Sequence, residues 1–148
     1  MEPMNAPVSE TLPKSHAHWS AHEAFLGILT LVAVWDGHKA TSRLRGVRAF
    51  AERSPFLSAL GEKRQIQLQS DVVMRMGECE GEALDQVCAI LPPEMHASMY
   101  AACADILGAA GVFSKDDRAL LDQLRTLLGI EPQQAEEIEA VLLLKNRF

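Results

Sequence analysis

Three acids stand at the ends of glycine-bearing turns: Asp36, just before Gly37, and the pair Asp116-Asp117, just after Ser114. Carboxylates at such turns can do two kinds of chemistry. As hard oxygen ligands they can hold a divalent cation such as calcium, which takes six to eight oxygens. For that, the two turns have to meet in space, since neither carries the alternating acids of an EF-hand loop. As helix caps they can instead accept backbone N–H groups, with Asp36 solvating a helix end and Asp117 closing a capping box on Ser114.

Other chemistry-bearing residues form weaker patterns. His16, His18 and His22 lie close together in HAHWSAH, with His18 and His22 at the i, i+4 spacing of a metal pair and Glu23 adjacent. No further ligand pattern completes a zinc site, and a first helical turn explains them too. Glu78-Cys79-Glu80-Gly81-Glu82 surrounds a thiol with acids, which disfavours a reactive thiolate. The three cysteines, Cys79, Cys88 and Cys103, show no CxxC spacing and fit reduced thiols of a cytosolic protein. There is no GxSxG, no glycine-rich phosphate loop and no Cys/His nucleophile pair. His96 is explained by packing or exposure. An enzyme is not expected, and a small-molecule carrier built in a bundle core is the remote alternative.

The elements that must position these groups read as helices. The chain has 148 residues, 48% of them apolar and only 5% aromatic, with seven Pro and nine Gly that mostly punctuate helix ends. That is one ordinary domain with a real core. Residues 1–18 hold three Pro and little apolar pattern, and read as a flexible N-terminal tail. The first helix runs from Trp19 to Trp35, apolar nearly all round, as suits the middle of a bundle. It is too short and too flanked by charge for a membrane span.

The second helix starts at Thr41 or Ser42 and ends at Arg53-Ser54-Pro55, with Leu44, Val47 and Ala51 inward. A turn, Phe56 to Leu60, leads to a third helix, Glu62 to Met76, burying Leu68, Val72, Val73 and Met76. A fourth, Glu82 to Leu91, buries Leu84, Val87, Cys88 and Leu91 at i, i+3, i+4, i+7. The fifth spans Glu94 to Ala109. The sixth runs from its Ser114 cap to Gly129 with a leucine stripe. The seventh, Pro132 to Lys145, presents Ile138, Val141 and Leu142 to the core. No segment shows strand alternation.

Net charge is −6, which excludes a general nucleic-acid binder. The charge is polarised. From Lys39 to Arg64 there are seven basic and two acidic residues, and from Glu78 to Ala140 thirteen acidic and three basic. Solvated helix faces explain this, and so does a dipolar surface that docks a partner or a second copy, with Arg45 and Arg48 on the basic side and Glu136 and Glu137 on the acidic side.

Two helix–turn–helix units carry a resemblance. LVAVWDGHKATSRLRGVRAF, residues 31–50, and DILGAAGVFSKDDRALLDQL, residues 105–124, align on Gly37 and Gly111, matching Val32 with Ile106, Val47 with Leu121 and Phe50 with Leu124. Together with the ending LLLKNR, residues 142–147, these units resemble the two halves of the tellurite-resistance TerB-like family, over residues 20–147. The resemblance implies an all-α, single compact seven-helix bundle of two pseudo-symmetric helix–turn–helix halves across residues 19–148. It also implies a role in tellurite or chemical stress, and a divalent-metal site at the turn acids, here Asp36, Asp116 and Asp117. The first turn keeps Asp36 but carries Arg43 where the family has its second acid. The second carries Ala110 in place of its first acid and keeps Asp117.

The resulting expectation is a cytoplasmic, non-catalytic TerB-like module acting through protein contacts. It requires no cofactor, and a divalent cation such as calcium is the one the resemblance suggests. A protein partner or homo-oligomer is expected, and neither nucleic acid nor a transmembrane segment. The alternative is an ion-independent scaffolding domain that self-associates or docks a partner through its polarised charge.

Overall fold

A computed structural model of the chain describes residues 18–35, 37 and 39–148, with backbone alone for 76–82. Every regular element among the described residues is helical. The helices are α1 (Ala21–Ala33), α2 (Ala40–Arg53), the short α3 (Pro55–Ser58), α4 (Glu62–Cys88), α5 (His96–Leu107), α6 (Lys115–Leu128) and α7 (Pro132–Lys145), with a 3-10 turn Pro93–Met95 before α5.

The centre is α1. No charged residue stands between Glu23 and Asp36, so the helix can bury every face, and Ala24 through Ala33 are all buried. The one hydroxyl in that run, Thr30, donates back to the Leu26 carbonyl at 2.8 Å and is satisfied inside its own helix. At its start, Ser20 and Glu23 form a capping box: the Ser20 amide donates to Glu23 at 2.8 Å and the Glu23 amide to the Ser20 hydroxyl at 3.2 Å. Around α1 pack α2, α3, α4 and α5, while α5 also packs against α2, α6 and α7.

The sequence reading separates Glu62–Met76 from Glu82–Leu91. The structure corrects this: both belong to one helix, α4, of 27 residues. Gly77 and Gly81 weaken a helix by about 1 kcal/mol each relative to Ala, but neither removes an N–H as proline would. Core contacts at both ends outweigh that cost, with Leu68 and Val72 buried at one end and Ala83, Leu84, Val87 and Cys88 at the other. Two assigned core residues also move outward: Val73 and Val141 are exposed. The expected inward placement of Met76 lies outside the described side chains, as does the tail, residues 1–17, outside the described residues. No helix among the described residues is long and apolar enough to cross a membrane.

The glycines of the two turns share one backbone feature. Gly37 has φ 77° and Gly111 φ 88°, left-handed values that favour glycine. After each, a helix begins: α2 and α6. This brings Arg43 and Asp117, at matching places early in those helices, to the middle of the molecule.

Candidate functional site

Arg43 sits in the first turn of α2, and its side chain enters the bundle rather than solvent. Its Nη2 donates to both carboxylate oxygens of Asp117, at 2.9 and 3.1 Å, and to the Leu107 carbonyl at 3.3 Å. Leu107 is the last residue of α5, and its carbonyl belongs to the group that a helix C-terminus leaves without an intrahelical partner. A cation there also favours the negative end of the helix dipole. One guanidinium therefore joins α2, the end of α5 and the start of α6.

Asp117 serves two masters. Its amide donates to the Ser114 hydroxyl at 3.0 Å, and its Oδ2 accepts the Ser114 amide at 2.9 Å, completing the capping box of α6. Arg43 takes Oδ1 and shares Oδ2. Both residues are buried, Arg43 to 6% and Asp117 to 2% exposure. They stand 74 positions apart, the same offset that separates Gly37 from Gly111. The pair thus links positions that the alignment on Gly37 and Gly111 matches.

The residues expected at a metal site are accordingly placed as follows. Asp117 is inside and committed to Arg43 and Ser114. Asp116 is exposed at the surface. Asp36 lies outside the described residues. Among the described residues, no group of three or more His, Cys, Asp or Glu could hold a metal ion. Of the histidines, His16 lies outside the described residues, His18 is exposed, and His22 stacks on Phe56 with centroids 4.0 Å apart.

A second polar cluster escaped the sequence reading. The Tyr100 hydroxyl donates to Glu139 Oε2, and Arg118 Nη1 and Nη2 both donate to Glu139 Oε1 at 2.9 Å. Tyr100 and Glu139 are buried. The cluster ties α5, α6 and α7 together, and the Arg118 guanidinium also lies 5.4 Å from the Phe113 ring centroid. Burial, then the bond and charge of Glu139, push the Tyr100 hydroxyl well above its ordinary value. The Glu139 hydrogen bonds hold Arg118 the more firmly protonated. A phenol so held is a structural donor, not a base or nucleophile at neutral pH. The signal for the cluster was available: Glu139 is an acid on the inner stripe of α7, beside Ala135 and Leu142.

The two thiols among the described side chains, Cys88 and Cys103, are buried, and His96 is bonded within the fold. Burial, then Asp85, pushes the Cys88 thiol up to about 12. Burial, then Cys88, raises Cys103 as well. Neither offers a thiolate. The two ring nitrogens of His96 lie 3.1 Å from the Leu128 carbonyl and 3.0 Å from the Leu91 carbonyl, pinning the end of α6 to the turn after α4.

The residues expected on docking surfaces lie where solvent can reach them. Arg45 is exposed on α2, and Arg48 is partly exposed, 3.9 Å from Glu62. Glu136 and Glu137 are exposed on α7. No protein-family model, no curated protein and no solved structure matches this chain.

Proposed function

We propose that this chain is a non-catalytic, TerB-like helical module of a cytosolic tellurite or chemical-stress response, acting through protein contacts and without a bound ion. The observation that carries the reading is the Arg43–Asp117 pair. Where the starts of α2 and α6 meet, the chain supplies its own fixed positive charge, and the carboxylate that the resemblance would give to a metal is occupied on both oxygens. A divalent ion at Asp117 would have to break the buried Arg43–Asp117 ion pair, at a cost of several kcal/mol. Buried thiols and a locked phenol leave no activated nucleophile among the groups described above. What faces solvent is charge of opposite sign on α2 and on α7, the means of steering and orienting a protein partner.

The test is survival under tellurite of cells whose own copy carries Arg45→Glu and Arg48→Glu. The expected result is sensitivity matching deletion of the gene, with the variant accumulating to its normal level and folded. Full protection by that variant would overturn the reading.

A further inference from the structure

Seven large apolar side chains are exposed among the described residues, and six of them fall into two groups. Ile66, Val73 and Met74 lie on α4. Val141 and Leu144 lie on α7, with Phe148 just beyond it. Apolar exposure gathered this way marks an interaction surface.

The α4 group forms one wall of a groove of about 310 Å³, lined by Leu44 of α2 and by Ile66, Gln69, Ser70, Val73 and Met74. Gln69 is 8% exposed, yet its amide nitrogen has no hydrogen-bond partner. A buried donor left unpaired costs about 1–3 kcal/mol, so a partner that brings an acceptor gains more than apolar contact. On α2, Arg48 stands one turn beyond the groove residue Leu44, 3.9 Å from Glu62, and the exposed Arg45 follows Leu44 directly.

The α7 group has the complementary chemistry. Glu137, Ala140, Val141 and Leu144 recur at i, i+3, i+4 and i+7, so they share one outer stripe, opposite the inner stripe of Ala135, Ile138 and Leu142. Glu136 flanks it. Lys145, the one lysine of α7, is turned back to Asp105 at 3.2 Å. The stripe is therefore acidic at its start and apolar at its end.

We propose that the occupant of the α2–α4 groove is α7 of a second copy of this chain, in a head-to-tail contact. Charge complementarity chooses the occupant, and length supports it. Glu137 to Leu144 and Ile66 to Val73 each span eight residues, about 10 Å of helix. Laid parallel to α4, the stripe sets Glu137 toward Arg48, and Leu144 between Val73 and Met74. Each copy offers one groove and one stripe, so the contact is heterologous and propagates into a ring or an open chain. This rests on the protein-contact reading above and names its partner.

Sedimentation of the full chain tests it, with two variants that each disable one half of the contact. Wild type associates beyond its 16.3 kDa monomer as concentration rises, and more weakly in high salt. Met74→Glu alone and Leu144→Glu alone are monomers, since each lacks one of the two surfaces. Mixed, they form a capped 1:1 dimer, because the first keeps its stripe and the second its groove. Both side chains are largely exposed, at 77% and 68%, so circular dichroism and melting match wild type. Should Met74→Glu misfold, Val73→Glu on the same wall of the groove replaces it. A wild-type monomer at every concentration overturns the proposal, and so does a mixture that stays monomeric. Association lost in Met74→Glu but intact in Leu144→Glu also overturns it, in favour of groove-to-groove pairing. None of these outcomes touches the tellurite test, which separates failure of this contact from failure of the functional reading.

Discussion

The side chains that organise this molecule are charged ones in buried places. A buried ion pair does not of itself add stability over apolar residues of the same volume, but removing one partner strands the other. Arg43→Met is expected to lose about 3–5 kcal/mol, because it leaves Asp117 buried without its cation. Asp117→Asn is expected to lose a similar amount, with the Ser114 cap weakened as well. The double variant is expected to lose far less than the sum of the two. Denaturant unfolding of all four proteins measures this, and additive single losses below about 1 kcal/mol would remove the pair from the account. Tyr100 gives a second test, because it is the only tyrosine. Its hydroxyl is raised in the folded state, so the stability it confers is fully present below the ordinary tyrosine value near pH 10 and is lost as pH climbs through the folded value. The expected titration shows no tyrosinate absorbance until the protein unfolds in alkali. Ionisation near pH 10 with the fold intact would contradict the buried placement.

Helices were legible in the sequence to an uneven degree, and the physics of each element says why. Local signals marked ends well. Ser114 with Asp117 three residues on announces a capping box, and the box forms. The apolar run Ala24 to Trp35 announces a central helix, and α1 is central. What failed was weighing a weak local penalty against distant packing. Glu62–Met76 and Glu82–Leu91 read as two helices, but core residues on both sides hold α4 continuous across Gly77 and Gly81. The test is direct: Gly77→Ala and Gly81→Ala in an unbroken helix are each expected to raise stability by about 0.5–1 kcal/mol. Loss of stability in both would restore the break. Faces were harder than helices. Val73 and Val141 look like core residues by type, and nothing in their own helices shows that the neighbouring element stops short of them. The meeting of Arg43 with Asp117 was illegible for the same reason, since it joins residues 74 apart through the arrangement of α2, α5 and α6. Its trace in the sequence was a basic residue standing at the position equivalent to an acid in the other half.

At the scale of the whole molecule, an all-α bundle around α1 holds the starts of α2 and α6 together with a charge pair of its own. The outer surfaces keep the features that can meet another protein: a basic rim on α2, an acidic stripe on α7, and apolar side chains beside each. The central claim is that no ion is needed where the starts of α2 and α6 meet. It is tested most directly by calorimetric melting of the wild-type protein alone and with millimolar calcium, magnesium, manganese or zinc. An ion present at a hundred times its dissociation constant would add about 2.7 kcal/mol, and so raise the melting temperature of a chain this size by roughly 5–10 °C. The expected result is five superimposable melts. A rise of that size with any one of the four ions would contradict the claim and return the turn acids to a metal.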